Sequence, residues 1–306
     1  MPVVKAIVFA MTGLAFSAPA LPTEPLTLGR TPAGHMTVNL AIDGQGPYLM
    51  VLDTGASETA IAYPIAQELG FLAQHDELYA VQSLTVQFEA ERFMLENVQL
   101  AGRSPISINS VVLPSIGEPI VVVGYFAPDS LNVHQYAIDF ANSTIRFDQD
   151  LPNHADGIYD ADQGLLVTAG QLGRRGERLH VMIDTGSSRT LVNGSFRARM
   201  PRAEPSVLLG VRGVDRGRPR AAQNVNFRDL QIAGLCIERG VALYSDLDIF
   251  NALGWVNEPA IILGMDFLQN ANLVVDRETG IFELTGPPGG TDCGVGRVQL
   301  SRPAEG

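Results

Sequence analysis

Val51-Leu52-Asp53-Thr54-Gly55-Ala56-Ser57 recurs later in the chain as Met182-Ile183-Asp184-Thr185-Gly186-Ser187-Ser188. Each copy sets an aspartate at the end of an apolar run, directly before Thr-Gly. A single such tripeptide is weak evidence, because Asp and Gly favour ordinary turns. What surrounds the two copies makes them informative. Before the first, His35 to Ile42 alternates loosely, turns through Asp43-Gly44-Gln45-Gly46, and resumes strand character over Pro47 to Leu52. This predicts a hairpin delivering Asp53 at a strand end. Leu179 to Ile183 leads into Asp184 in the same way.

Downstream the order repeats. Pro119-Ile120-Val121-Val122-Val123-Gly124 is an apolar run ending in glycine, answered by Ile261-Ile262-Leu263-Gly264. Tyr136 to Phe147 and Asn272 to Leu284 each read as strand, tight turn, strand. The aspartate-to-glycine separation is 71 residues in the first half (53 to 124) and 80 in the second (184 to 264). Matching order and similar spacing imply a duplicated unit. Ala62 to Leu69 is a candidate helix, with Pro64 in its first turn and Gly70 at its end. Tyr79 to Gln99 reads as short strands interrupted by Glu89-Ala90-Glu91-Arg92. Short β-branched and aromatic runs elsewhere predict an all-β fold.

Two such loops, one per half, can supply a facing pair of carboxylates. Amide hydrolysis by water needs a base to activate the water and an acid to assist the departing group. Two close carboxylates do both when they share one proton, because repulsion separates their titration steps. Those steps belong to the pair. Glycine permits a close turn beside the carboxylate, and the threonine hydroxyl can anchor the loop.

On these motifs the chain resembles the retropepsin-like and pepsin-like aspartic peptidases, over roughly residues 31–284. It is most similar to the bacterial single-chain form in which two retropepsin-type halves are fused. The resemblance implies a pseudo-two-fold bilobal fold of two related closed-barrel-like halves with the active site at their interface. It implies that Asp53 and Asp184 are catalytic, that Thr54 and Thr185 interlock beneath them, and that Gly55, Gly186, Ser187, Gly124 and Gly264 support the loops. It also implies a polypeptide substrate, no cofactor or metal, and no need of a homodimer to complete the site. A serine hydroxyl at 187 would donate to the outer oxygen of Asp184, with Ala56 unable to do so for Asp53. Two departures stand out. Gly124-Tyr125-Phe126 lacks the aspartate that Gly264-Met265-Asp266 carries two places after glycine. For the flap, the hairpin that folds over substrate, the glycine-bearing candidate is Gly210, Gly213 and Gly217, whereas Tyr79 to Phe93 has no glycine and reads as a rigid or shortened flap. A catalytically inactive peptide-binding module of the same fold is the alternative reading.

The remaining features bound the rest. A formal charge of -12 argues against a nucleic-acid partner. Yet eleven of the twenty-one basic residues, all arginine, lie between Arg174 and Arg220; this is either a basic groove or a solvated face. Lys5, the apolar stretch Ala6 to Phe16, and Ser17-Ala18-Pro19-Ala20 have the pattern of a secretory signal peptide. They predict a periplasmic or secreted protein with no stable membrane insertion after cleavage. The expected organisation is a signal peptide at 1–20, a first half at 21–149, a linker at 150–164, a second half at 165–285 and a tail at 286–306. Cys236 and Cys293 are the only cysteines, and in an oxidising compartment they would form one disulfide.

Overall fold

The computed structural model describes residues 24–71, 78–100, 103–114, 122–148, 156–160, 163–200, 209–211 and 219–286. The first half contributes β1 (Leu26–Thr27), β2 (Gly29–Arg30), β3 (Met36–Ile42), β4 (Gln45–Leu52), β5 (Thr59–Ala62), α1 (Tyr63–Glu68), β6 (Leu78–Gln82), β7 (Gln87–Leu100), β8 (Ile106–Leu113), β9 (Gly124–Phe126), a 3-10 turn (Pro128–Ser130), β10 (Gln135–Asp139) and β11 (Thr144–Phe147). Then follow β12 (Gly157–Asp160), β13 (Leu165–Leu172), β14 (Glu177–Ile183), β15 (Leu191–Val192), α2 (Gly194–Arg197), β16 (Leu209–Val211), β17 (Arg220–Ile232), β18 (Leu235–Tyr244), α3 (Asp248–Ala252), β19 (Ala260–Leu263), α4 (Met265–Leu268), β20 (Asn272–Asp276) and β21 (Ile281–Thr285).

The chain is mostly β. An eight-stranded sheet runs β2-β3-β4-β9-β5-β8-β7-β6, and β3 pairs back onto β7. That return closes a six-strand barrel. The remaining strands form one larger, thirteen-stranded sheet, β1-β11-β10-β20-β21-β12-β13-β14-β19-β15-β18-β17-β16, with an additional pairing of β13 to β17. Within it, β13-β14-β19-β15-β18-β17 follows the strand order of the barrel. Parallel ladders join β4 to β9 and β14 to β19. Such strands are flanked on both sides and read as near-continuous apolar runs. Ala260 to Leu263 is accordingly buried at all four positions.

The hairpin β3–β4 forms as the alternation predicts. Met36, Val38, Leu40 and Ile42 are buried, and a two-residue turn through Asp43 and Gly44 returns the chain at Gln45. Helix α1 carries Pro64 in its first turn and ends before Gly70, whose φ is 82°. Glu89 to Arg92 does not interrupt a strand. β7 runs unbroken through it, pairing with β6 over Gln87–Glu91 and with β8 from Arg92 onward. Glu89 is exposed where the strand has left the barrel wall, and the part-buried Arg92, back on the wall, pairs with Glu58.

The two terminal hairpins, β10–β11 and β20–β21, pair with each other, Gln135–Asp139 lying antiparallel to Asn272–Asp276. Tyr136, Ile138, Leu273, Val275, Phe282 and Leu284 of this seam belong to one hydrophobic cluster that also includes Leu52 and Ile183 beneath the two aspartates. Truncating such a fully buried Leu or Ile typically costs about 2–5 kcal/mol. The expected linker contains β12, which pairs with β13 and β21. Among the described residues no helix is long and apolar enough to cross a membrane. The leader at 1–20 and the tail beyond Gly286 lie outside the described residues. So does Cys293, and with it the expected bridge to Cys236, which sits in β18 opposite Gln231.

Candidate active site

β4 and β14 end against each other. Asp53 and Asp184 follow their last residues, and the two carboxyl groups are close enough to influence each other's titration. Asp184 is buried, while Asp53 keeps a part-exposed face. The loops are tied by four crossed hydrogen bonds. Thr54 N donates to Thr185 Oγ1 (3.0 Å) and Thr185 N to Thr54 Oγ1 (3.1 Å). Thr54 Oγ1 donates to the Ile183 carbonyl (3.0 Å) and Thr185 Oγ1 to the Leu52 carbonyl (2.7 Å). Both threonines are buried, so every one of these bonds is shielded from water and worth more for it.

Each carboxylate also accepts from its own loop. Gly55 N donates to Asp53 Oδ1 and Gly186 N to Asp184 Oδ1, both at 2.8 Å. The two glycines pack on the opposite aspartates. A Cβ at Gly55 would stand 2.7 Å from Asp184 Oδ1, and one at Gly186 would stand 2.4 Å from Asp53 Oδ2. Ser187 departs from expectation. Its hydroxyl donates to the Arg189 carbonyl (2.7 Å), and the serine reaches Asp184 only through its backbone N–H (3.1 Å). The nearer acceptor within the same tight loop captures the hydroxyl.

Burial pushes both carboxyls above the ordinary carboxylate range, and the charge of Asp53 adds to the effect on Asp184. Backbone N–H donors oppose it in part. Their titration steps belong to the pair and not to either residue.

The supporting strands correct the expected alignment. Leu52 pairs with Phe126, and Ile183 with Leu263. Asp53 N donates to the Phe126 carbonyl (2.9 Å), and Asp184 N to that of Leu263 (3.0 Å). Ala127, not Gly124, therefore occupies the place of Gly264. Thr59 Oγ1 accepts from Ala127 N as Thr190 Oγ1 accepts from Gly264 N. The aspartate missing after Gly124 is Asp129, two places beyond Ala127. It accepts from Tyr159 Oη (2.6 Å) and faces Arg277 Nε at 3.8 Å, whereas Asp266 bonds Thr190 and Arg189 beside it. Gly124 serves a different purpose. β9 crosses β5 so closely there that a Cβ would stand 2.1 Å from the Ala60 carbonyl.

A cavity of about 530 Å³ opens over the aspartates. The β6–β7 hairpin roofs it with Tyr79 to Leu84. This hairpin is full length and needs no glycine. Ser83 Oγ accepts from Thr85 N and Val86 N and donates to the Val86 carbonyl, so one hydroxyl builds the turn. The tip crosses to the other half. Leu84 packs against the cluster containing Ile249 and Leu247, Ile249 N donates to the Leu84 carbonyl (3.4 Å), and Arg220 Nη2 donates to that of Thr85 (3.0 Å) while pairing with Asp248 (3.2 Å). Gly210 lies in β16, on the corresponding β16–β17 hairpin, and Gly213 and Gly217 fall outside the described residues.

Arg220→Ala should loosen the roof without unfolding the chain, because Arg220 is half-exposed. A hydrogen bond to a charged donor contributes about 1.5–3 kcal/mol when buried, less here. Backbone amides of residues 83–86 should exchange roughly 3- to 10-fold faster. Unchanged exchange at the tip would show that Arg220 does not hold it.

Two residues near the aspartate loops, one of them in the cavity lining, carry no sequence signal. Tyr125 lies on β9 in the cavity wall. Burial first, then the charges of Asp53 and Asp184, push its phenol up to about 12, so it stays a neutral donor. His35, whose ring meets the Gly186 carbonyl and Thr31 Oγ1, has its pKa lowered by burial.

With this geometry in place, the comparisons with known proteins become specific. Residues 38–125 match the family model for aspartyl proteases. The aspartyl-protease match spans β4, Asp53-Thr54-Gly55, the roofing hairpin and β9 as far as Tyr125, which is the closed barrel. No curated protein matches the chain.

Proposed function

We propose that the chain is an aspartic endopeptidase in which Asp53 and Asp184 activate water between them. The observation that carries this reading is the two aspartate loops tied to one another by four crossed threonine hydrogen bonds. The two halves are read as related units about a pseudo-two-fold axis, which accounts for the repeated strand order and the repeated Thr–backbone bonds at Ala127 and Gly264. In the singly protonated pair, the ionised carboxylate takes a proton from water as it attacks the scissile carbonyl, and the protonated one donates to the carbonyl oxygen. Collapse of the tetrahedral species returns a proton to the departing nitrogen. Tyr125, neutral throughout, offers a donor to the bound segment. An extended polypeptide would lie beneath the β6–β7 hairpin.

The test is digestion of a diverse peptide library across acidic and neutral pH, with cleavage sites mapped by mass spectrometry. Cuts made by the native chain and lost in Asp53→Asn are the expected result. Saturable peptide binding without any cut would favour the inactive binding module. We also propose export, resting on residues 1–20; N-terminal sequencing of processed protein should begin at or near Leu21, and an intact Met1 on protein recovered from cells would refute it.

A further inference from the structure

Roughly 20 Å from Asp184, at the far end of β14, a second cleft of about 710 Å³ opens on the outer face of the second half. Arg174, Arg175, Arg199, Arg228 and Arg239 line it, with Glu177 as the single acid of the lining. They come from four places in the sequence. Arg174 and Arg175 sit in the β13–β14 turn, which Gly173 N ties to the Asp229 carbonyl at 2.8 Å beside Arg228. Arg199 follows α2 and pairs with Glu177 at 3.4 Å. Arg228 on β17 and Arg239 on β18 are direct cross-strand partners.

That cross-strand pair is the telling feature. Residues directly opposite in an antiparallel ladder point to the same face with Cβ atoms about 4.5–5.5 Å apart, and like charges there are destabilising. Among the described residues, Arg174, Arg175, Arg228 and Arg239 have no acidic partner. The chain carries a net charge of -12, so acids to neutralise them were abundant. Four uncompensated guanidiniums nevertheless converge on one concavity. The floor between them is apolar, formed by Leu172, Met200, Phe227 and Val241.

We propose that this cleft binds a phosphate ester carrying an apolar body. Guanidinium forks match phosphate oxygens in pairs. A terminal phosphate brings up to two charges and three acceptors, enough to satisfy Arg228 and Arg239 together; a carboxylate brings one charge. The cleft is far larger than a phosphate group, and apart from Asn226 its uncharged lining side chains are apolar, so the rest of the ligand is largely apolar or aromatic. This assignment is independent of the hydrolytic site.

The experiment is calorimetric titration of the full chain with four probes: dihexanoyl phosphatidic acid as monomer, adenosine diphosphate, inorganic pyrophosphate and a glutamate-rich heptapeptide. At least one organic phosphate should bind with one-to-one stoichiometry and more tightly than pyrophosphate. Tighter binding of the lipid assigns the source as a lipid headgroup, and tighter binding of the nucleotide assigns a soluble ester. Arg228→Ala/Arg239→Ala should weaken it at least tenfold, while peptide cleavage stays unchanged. Both positions are exposed, and the ligand-free double variant should melt no lower than the native chain. Arg228→Gln alone should weaken binding in the same direction. Pyrophosphate binding as tightly as both esters, tighter binding of the acidic peptide, or affinity indifferent to both variants would overturn the proposal.

Discussion

Asp184→Asn is expected to abolish hydrolysis and, at the same time, to raise the melting temperature at neutral pH. Activity should fall about 10³-fold or more, since the substitution removes an acid–base group from the reacting pair. The stability change has a definite sign. Burial and the Asp53 charge raise the folded carboxyl well above its ordinary value of 3.8. Above that value the folded state holds a proton that the unfolded chain has released, so stability falls as pH rises toward the folded value. The native carboxyl is therefore a destabilising group near pH 7, and a neutral amide of the same shape is not. A gain of at least about 2 °C is expected, the shift that ~1 kcal/mol produces in a chain of this size. At about pH 3 both states are protonated and the gain should vanish. Calorimetry at the two pH values, with peptide cleavage measured alongside, checks both parts. Equal melting at both pH values would remove the electrostatic argument, and undiminished turnover would remove Asp184 from the chemistry. Asp53→Asn should behave similarly, with a smaller thermal gain because Asp53 keeps a part-exposed face.

The second large effect is expected from a single methyl group. In Gly186→Ala the new Cβ would lie 2.4 Å from the Asp53 carboxyl carbon, and in Gly55→Ala it would lie 2.7 Å from that of Asp184. Neither loop can retreat, because Thr54 and Thr185 fasten each to the other through buried bonds. The carboxyls must move apart instead. Misplacement by about 1 Å can cost 10²-fold in rate, and overpacking of a closed site costs about 1–3 kcal/mol. Both variants should fold, melt lower and lose at least about 100-fold in kcat. Ser187→Ala is the matched control. Its hydroxyl is spent on the Arg189 carbonyl, so the acidic limb of the activity profile should stay where it is. Near-native turnover in Gly186→Ala would mean that the carboxyls need not be so close. A displaced acidic limb in Ser187→Ala would restore a direct role for that hydroxyl.

Local chemistry made much of this protein legible from residues alone. The repeated Asp-Thr-Gly, the β3–β4 alternation, the two-residue turn at Asp43 and Gly44, and Pro64 at the head of α1 depend on neighbours a few positions away. Their reading needed no knowledge of the fold. The terminal hairpins β10–β11 and β20–β21 were legible for the same reason.

What only the tertiary structure decided is register and crossing. Gly124 looked like the counterpart of Gly264, because both end apolar runs. Backbone pairing of Leu52 to Phe126 moves the correspondence three residues, to Ala127, and brings Asp129 into the place of Asp266. An apolar run without alternation has no polar face to fix its register, so several registers fit it about equally well; the choice falls to long-range hydrogen bonds. The roofing hairpin was hidden similarly. Glycine seemed necessary for its tip, yet Ser83 closes the turn, and Arg220 from the other half, 135 residues away in sequence, fastens it. The arginines between 174 and 239 were countable in the chain, but their convergence on one cleft follows from β17 pairing with both β18 and β13. Sequence alone determined which groups this protein carries at its strand ends and turns; the long-range ladders determined which of them meet, because contact between distant segments is set by pairing geometry that no local pattern encodes.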